Sequence, residues 1–116
     1  MERLIRLLVL CLFMISSADR LAGQASNEER FSEGVALYTS SSYQEALDIW
    51  TDIYNTGYRS ADLAYNIGNA YFKLNNIPGA ILFYERVLLL RPGDEDARYN
   101  LAIARSMTKD KFEEIP

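Results

Sequence analysis

A period of 34 residues runs through this sequence without a gap, and it constrains the fold more than any other feature. Gly34 is followed by Gly68, and Ala46 by Ala80. Ala36, Ala70 and Ala104 form a triplet. Tyr65 pairs with Tyr99, Asn66 with Asn100 and Ile67 with Leu101. Leu47 pairs with Ile81, Trp50 with Tyr84 and Ile53 with Val87. A single spacing that holds across small, apolar and aromatic positions indicates one structural unit, copied and stacked. Such a unit cannot bury its apolar face alone and relies on its neighbours for a core.

Within each period the punctuation is that of two helices. Ser26 with Glu29, and Ser42 with Glu45, have capping-box spacing. Ser60 and Asp94 stand where a helix start needs an oxygen acceptor. Asn76 precedes Ile77 and Pro78, and proline is tolerated in a first helical turn. Gly57 suits a helix stop, and Pro92 with Gly93 makes the next break. These signals predict helices over 27–40, 43–56, 61–74, 77–90 and 95–109, with a loose tail over 110–116. Ile67, Ala70, Tyr71 and Leu74 line one face of the third helix; Ala80, Ile81, Tyr84, Val87 and Leu88 line the fourth. Gly34 against Ala46, and Gly68 against Ala80, are the expected close crossings. Helix axes only ~8–10 Å apart leave no room for a large side chain at such a point.

The first 25 residues read differently. Arg3 and Arg6 make a basic start, Leu7 to Ser17 is uncharged and mostly apolar, and small residues follow. That order is the one a secretory signal needs. The run is about half of the ~20 residues that span a bilayer. Ser16 and Ala18 fit the small-x-small cleavage rule, and so do Gly23 and Ala25. An uncleaved N-terminal anchor and a buried helix are the other readings of this segment. The expected location is exported, in the periplasm or cell envelope, and membrane-anchored if the segment is retained. The only cysteine, Cys11, lies inside the apolar run, so a cleaved chain carries no thiol and is indifferent to the redox state of an exported compartment.

The segment Ala64-Tyr65-Asn66-Ile67-Gly68-Asn69-Ala70-Tyr71-Phe72-Lys73 resembles the first helix of a tetratricopeptide repeat. Ala80-Ile81 through Tyr84 to Pro92 resembles its second helix and closing proline. The family shares the repeat length. Residues 27–60 resemble it less closely: Arg30 and Glu33 stand at apolar positions and Tyr58 at the proline. Residues 95–109 resemble the lone helix that closes such arrays. The resemblance implies an all-α, right-handed α-solenoid. Its first repeat covers 26–60, its second 61–94 and a capping helix 95–109, followed by a flexible tail over 110–116. Gly34, Ala46, Gly68, Ala80, Tyr84 and Pro92 are its structural positions. A narrower similarity, to the BatE family of the Bacteroides aerotolerance operon, rests on the secreted start and the two repeats. It also rests on Asp96-Ala97-Arg98-Tyr99-Asn100-Leu101-Ala102 and on Asp110-Lys111 with Glu114-Ile115-Pro116. It implies an envelope protein working beside von Willebrand-type membrane partners and a MoxR-type ATPase. Members of that family continue into membrane helices and a small β domain, so this chain reads as a fragment or a shortened relative.

In that architecture the first helix of each pair lines a concave face. By helical pitch the face takes Phe31, Val35 and Tyr38 from the first repeat and Tyr65, Asn69, Phe72 and Lys73 from the second. The capping helix adds Tyr99, Ile103 and Ser106, and Asn66 and Asn100 supply amides that either meet a ligand or satisfy neighbouring backbone or a water. Aromatic walls with amide donors suit an extended peptide or a partner helix. The competing reading is that these aromatics only pack between repeats. Some relatives hold a terminal carboxylate with lysine, arginine and asparagine. Here Phe31, Val35 and Asp96 replace three of those groups and only Asn66 matches, so that mode is not expected.

Other chemistry finds little footing. Histidine is absent and Cys11 is alone, which excludes a histidine-based triad, a Cys/His zinc site and a disulfide framework. The carboxylates Glu28/Glu29 and Asp94/Glu95/Asp96 lie at helix starts, where the macrodipole accounts for them. There is no glycine-rich phosphate loop, and a net charge of −4 opposes nucleic-acid binding. No catalytic residue, metal, cofactor or small-molecule substrate is therefore assigned. The expected function is a non-catalytic scaffold that binds protein partners. Two helix pairs and one helix fall short of the roughly three repeats such arrays need, so a self-associating structural homo-oligomer is the alternative.

Overall fold

The computed structural model describes the backbone of residues 1–113 and the side chains of residues 1–14 and 26–109. Its helices are α1 (Glu2–Thr39), α2 (Tyr43–Asn55), α3 (Ala61–Lys73), α4 (Ile77–Leu90) and α5 (Glu95–Glu113), and the described residues contain no strand. Each helix packs chiefly on the next in sequence: α1 on α2, α2 on α3, α3 on α4 and α4 on α5. That succession is an all-α solenoid of two helix pairs and a closing helix.

Three of the expected caps form. Ser60 Oγ accepts the Leu63 N–H at 3.1 Å, Asn76 Oδ1 that of Gly79 at 3.1 Å, and Asp94 Oδ1 that of Ala97 at 2.9 Å. Ser42 occupies the cap position of α2 but its side chain makes no capping bond. The turn there is closed by backbone instead. Ser41 adopts φ 65° and the Ser42 N–H donates to the Leu37 carbonyl at 2.8 Å. Gly57, at φ 95°, carries the left-handed turn after α2.

Two helix boundaries differ from the sequence expectation by more than one residue. Ser26 does not start a helix, because α1 runs unbroken from Glu2. No proline lies between Glu2 and Thr39, so nothing there removes a backbone donor. At the other end α5 continues past 109 to Glu113, for the same reason; residues 114–116 lie outside the described residues. The large apolar residues from Leu4 to Met14 are exposed on every side of α1. Among the described residues no helix is long and apolar enough to cross a membrane.

The core is built from Trp50, Ile53, Leu63, Ile67, Tyr84 and Val87, all fully buried. The glycines meet different partners from those expected. A Cβ on Gly34 would run into the Trp50 indole, and one on Gly68 would lie 2.8 Å from a Tyr84 ring carbon. Each glycine thus vacates space for the large ring of its own repeat, rather than for the alanines at 46 and 80. Trp50 Nε1 in turn donates to the Phe31 carbonyl at 3.1 Å, the partner a buried indole requires. At the far end, Arg98 and Arg105 stand one period after Ala64 and Tyr71. Arg98 donates to the Pro92 carbonyl at 2.7 Å and Arg105 pairs with Glu85 at 2.6 Å. A polar outer face of this kind is what the last helix of a solenoid needs.

Candidate interaction groove

Helices α1, α3, α4 and α5 enclose an open groove of about 270 Å³ lined by Tyr38, Asn69, Phe72, Lys73, Tyr84, Asn100 and Ile103. Tyr38, Phe72 and Ile103 give it apolar walls. Lys73 is the one charged residue in the lining, and its ammonium lies 5.8 Å from the Tyr43 ring centroid. The floor is a hydrogen-bonded network. Tyr84 donates its hydroxyl proton to Asn69 Oδ1 at 2.6 Å. Asn100 Nδ2 donates to the Tyr65 hydroxyl at 3.1 Å and to Asn69 Oδ1 at 3.4 Å. The Tyr65 and Tyr84 rings lie 6.0 Å apart.

Burial explains why the network exists. Tyr84 is almost wholly enclosed, and an enclosed hydroxyl must find a partner. Burial pushes the Tyr84 phenol well above its ordinary pKa, the neighbouring phenols of Tyr65 and Tyr38 add to the rise, and the Asn100 amide opposes it. Tyr84 is therefore a neutral donor at physiological pH. Burial also raises the Tyr38 phenol, followed by the effects of Tyr43 and Tyr65. With Asn69 Oδ1 engaged, the side-chain Nδ2 of Asn69 and the side-chain Oδ1 of Asn100 have no protein partner among the described residues.

Residues 61–94, which are α3, α4 and the turn leading to α5, match the family model described as tetratricopeptide repeat. The chain contains a tetratricopeptide repeat. Tetratricopeptide repeats generally mediate protein–protein interaction and are typically non-catalytic. No curated protein matches the chain.

Within and around this repeat the structure gathers six of the residues expected on the concave face: Tyr38, Asn69, Phe72, Lys73, Asn100 and Ile103. Tyr65 supports the floor through its hydroxyl and faces a second depression, with Asp62, Arg91, Asp94 and Asp96. Phe31 is not in the groove. It lies two helical turns before Tyr38, tilts against Trp50 at 6.2 Å, and lines a separate depression with Asn27, Glu28, Ser32, Tyr58, Ser60 and Asp62. Val35 is 41% exposed and Tyr99 68% exposed, both outside the groove. Tyr99 precedes Asn100, and one residue turns a helix by about 100°. Asn66, half-buried, also lies outside it. Ser106 is exposed and donates to the Ile103 carbonyl at 2.7 Å.

Tyr84 belongs to the groove as well as to the core, which its structural assignment from sequence did not include. One signal pointed there. It occupies the position of Trp50 one period later, but carries a hydroxyl at the tip of its ring where tryptophan has an indole N–H along its edge. Phe31 packs on Trp50 and faces its own depression, away from the groove. Tyr38 both packs and lines the groove, since its ring lies 5.9 Å from Trp50 and 5.1 Å from Tyr43.

Proposed function

We propose that the chain is a non-catalytic, exported scaffold whose groove holds an extended segment of a partner protein. The observation that carries this reading is the pair of uncommitted amide groups on Asn69 and Asn100, held by Tyr84 and Tyr65 between apolar walls. An extended peptide presents free N–H and C=O groups to such a pair; a helix has already spent its own on internal bonds. Tyr38, Phe72 and Ile103 receive apolar side chains, and Lys73 favours an acidic residue beside them.

Display of random peptides against the purified protein tests the groove. Selected sequences bind wild type and lose about tenfold or more in Phe72→Ala, with the circular-dichroism melt little changed. Equal binding by both forms leaves the aromatics with packing alone.

Export is supported by the apolar residues from Leu4 to Met14, exposed all round α1. A helix apolar on every face is stable in lipid or inside protein, not in water. Residues 1–25 are accordingly the signal or anchor, and the body begins at Ser26. The similarity to the BatE family extends this reading to an envelope complex with membrane-bound partners. Mass spectrometry of the N-terminus from an envelope fraction decides between the two fates: Asp19 or Ser26 as first residue means cleavage, and intact Met1 in the membrane means an anchor.

A further inference from the structure

Two arginines share one aromatic ring on a side of the molecule that contributes nothing to the groove. The Arg59 guanidinium carbon lies 4.7 Å from the Tyr54 ring centroid, and that of Arg86 lies 5.3 Å from the same centroid. Arg86 also lies 4.7 Å from the Phe83 centroid, and the Tyr54 and Phe83 rings meet edge to face at 5.3 Å. Neither cation has a carboxylate within ion-pair distance among the described residues, whereas Arg30, Arg91 and Arg105 are paired with Asp52, Asp62 and Glu85. The chain has a surplus of acid, 16 carboxylates to 12 cations, so scarcity of anions does not account for the two vacancies. The rings hold two like charges that no carboxylate among the described residues compensates, an arrangement that an incoming anion relieves.

Apolar surface flanks the same spot. Leu82, Arg86 and Leu89 follow one another at i, i+4 and i+7 along α4, so they form one stripe. Leu82 is 45% exposed and Leu89 is 82% exposed. Isolated exposed leucines are ordinary, but leucines bracketing an unpaired, ring-held arginine make a surface that is both apolar and cationic.

We propose that this α2–α4 surface is a second docking site, which takes an acidic amphipathic helix of a partner protein. Carboxylates one turn apart on that helix meet Arg59 and Arg86, and its apolar residues cover Leu82 and Leu89. The site is independent of the groove and shares none of its lining residues.

The probe is a synthetic helical peptide whose face alternates leucine with glutamate, beside a counterpart in which glutamine replaces each glutamate. Titration of each into the full chain at low salt is compared for wild type, Arg59→Gln/Arg86→Gln and Phe72→Ala. The double variant and the glutamine peptide are expected to bind at least about tenfold more weakly, with binding falling as salt rises. Phe72→Ala binds like wild type, and melts of the double variant confirm that it is folded. Equal affinity for the two peptides, or undiminished binding by the double variant, overturns the proposal. So does binding to phosphatidylglycerol vesicles without binding to the glutamate peptide. Concentration-dependent self-association abolished by the same double variant assigns the surface to a second copy of the chain and overturns it too.

Discussion

The Tyr84 hydroxyl donates to Asn69 at 2.6 Å, while the ring that carries it fills the space a side chain at position 68 would need. One residue thereby couples the packing of α3 on α4 to the orientation of an amide in the groove. Stability of the repeat and the arrangement of the groove are linked through it.

Gly68→Leu is expected to destabilise the protein by about 1–3 kcal/mol, the cost of overpacking a filled interface. Its Cβ would lie 2.8 and 2.9 Å from two Tyr84 ring carbons, so the ring has to move. Thermal melts followed by circular dichroism measure the effect. An unchanged midpoint would mean that α3 and α4 do not cross as described.

Tyr84→Phe keeps the ring and removes only the donor. The loss is expected to be about 1 kcal/mol, the net worth of one hydrogen bond. Asn69 Oδ1 then retains only the 3.4 Å contact from Asn100. Selected peptides should bind more weakly at temperatures where the variant is fully folded, and the Asn69 side-chain amide resonances should shift. Full affinity in the variant would show that the network does not set the amide.

Raising the pH should destabilise the protein from about pH 10 upward. The Tyr84 phenol is raised above its ordinary value of 10.0 in the fold, mainly by burial. The unfolded chain therefore loses this proton first, and stability present below the unfolded pKa drains away as pH climbs toward the folded one. Tyr38 shifts the same way. Tyr84→Phe should flatten the alkaline limb of a stability–pH curve measured with denaturant. An identical limb in wild type and variant would assign the effect to other groups.

Unfolding should not be a single step. Helices pack chiefly on sequence neighbours, so α1–α2 and α4–α5 are joined mainly through α3. Trp50, the only tryptophan, sits against Gly34, Phe31 and Tyr38 and reports chiefly on the first pair. Its fluorescence midpoint in denaturant should differ from the circular-dichroism midpoint. Coincident curves would show one cooperative unit.

Much of this architecture was legible in advance, and particular residues show why. Ser60, Asn76 and Asp94 cap because each needs only the backbone N–H three residues on. Ser42 has the same spacing, yet its turn closes through the Leu37 carbonyl, a choice made by the approach of α1 to α2. The continuation of α1 through Ser26 was missed because a cap motif is a permission to start a helix, and a chain already helical has no use for it.

Sequence alone settled what depends on near neighbours. The 34-residue copy, the amphipathic faces and most helix ends follow from spacing along the chain. It also placed asparagine and aromatic residues on the first helix of each pair. Three-dimensional packing decided the rest: that Gly68 yields to Tyr84, that Phe31 turns to Trp50 while Tyr38 faces the groove, and that Tyr84 reaches the amides. Helical pitch assigns a side chain an angle about its own axis. What lies across from it depends on the tilt and separation of the neighbouring helix, which the buried rings set together.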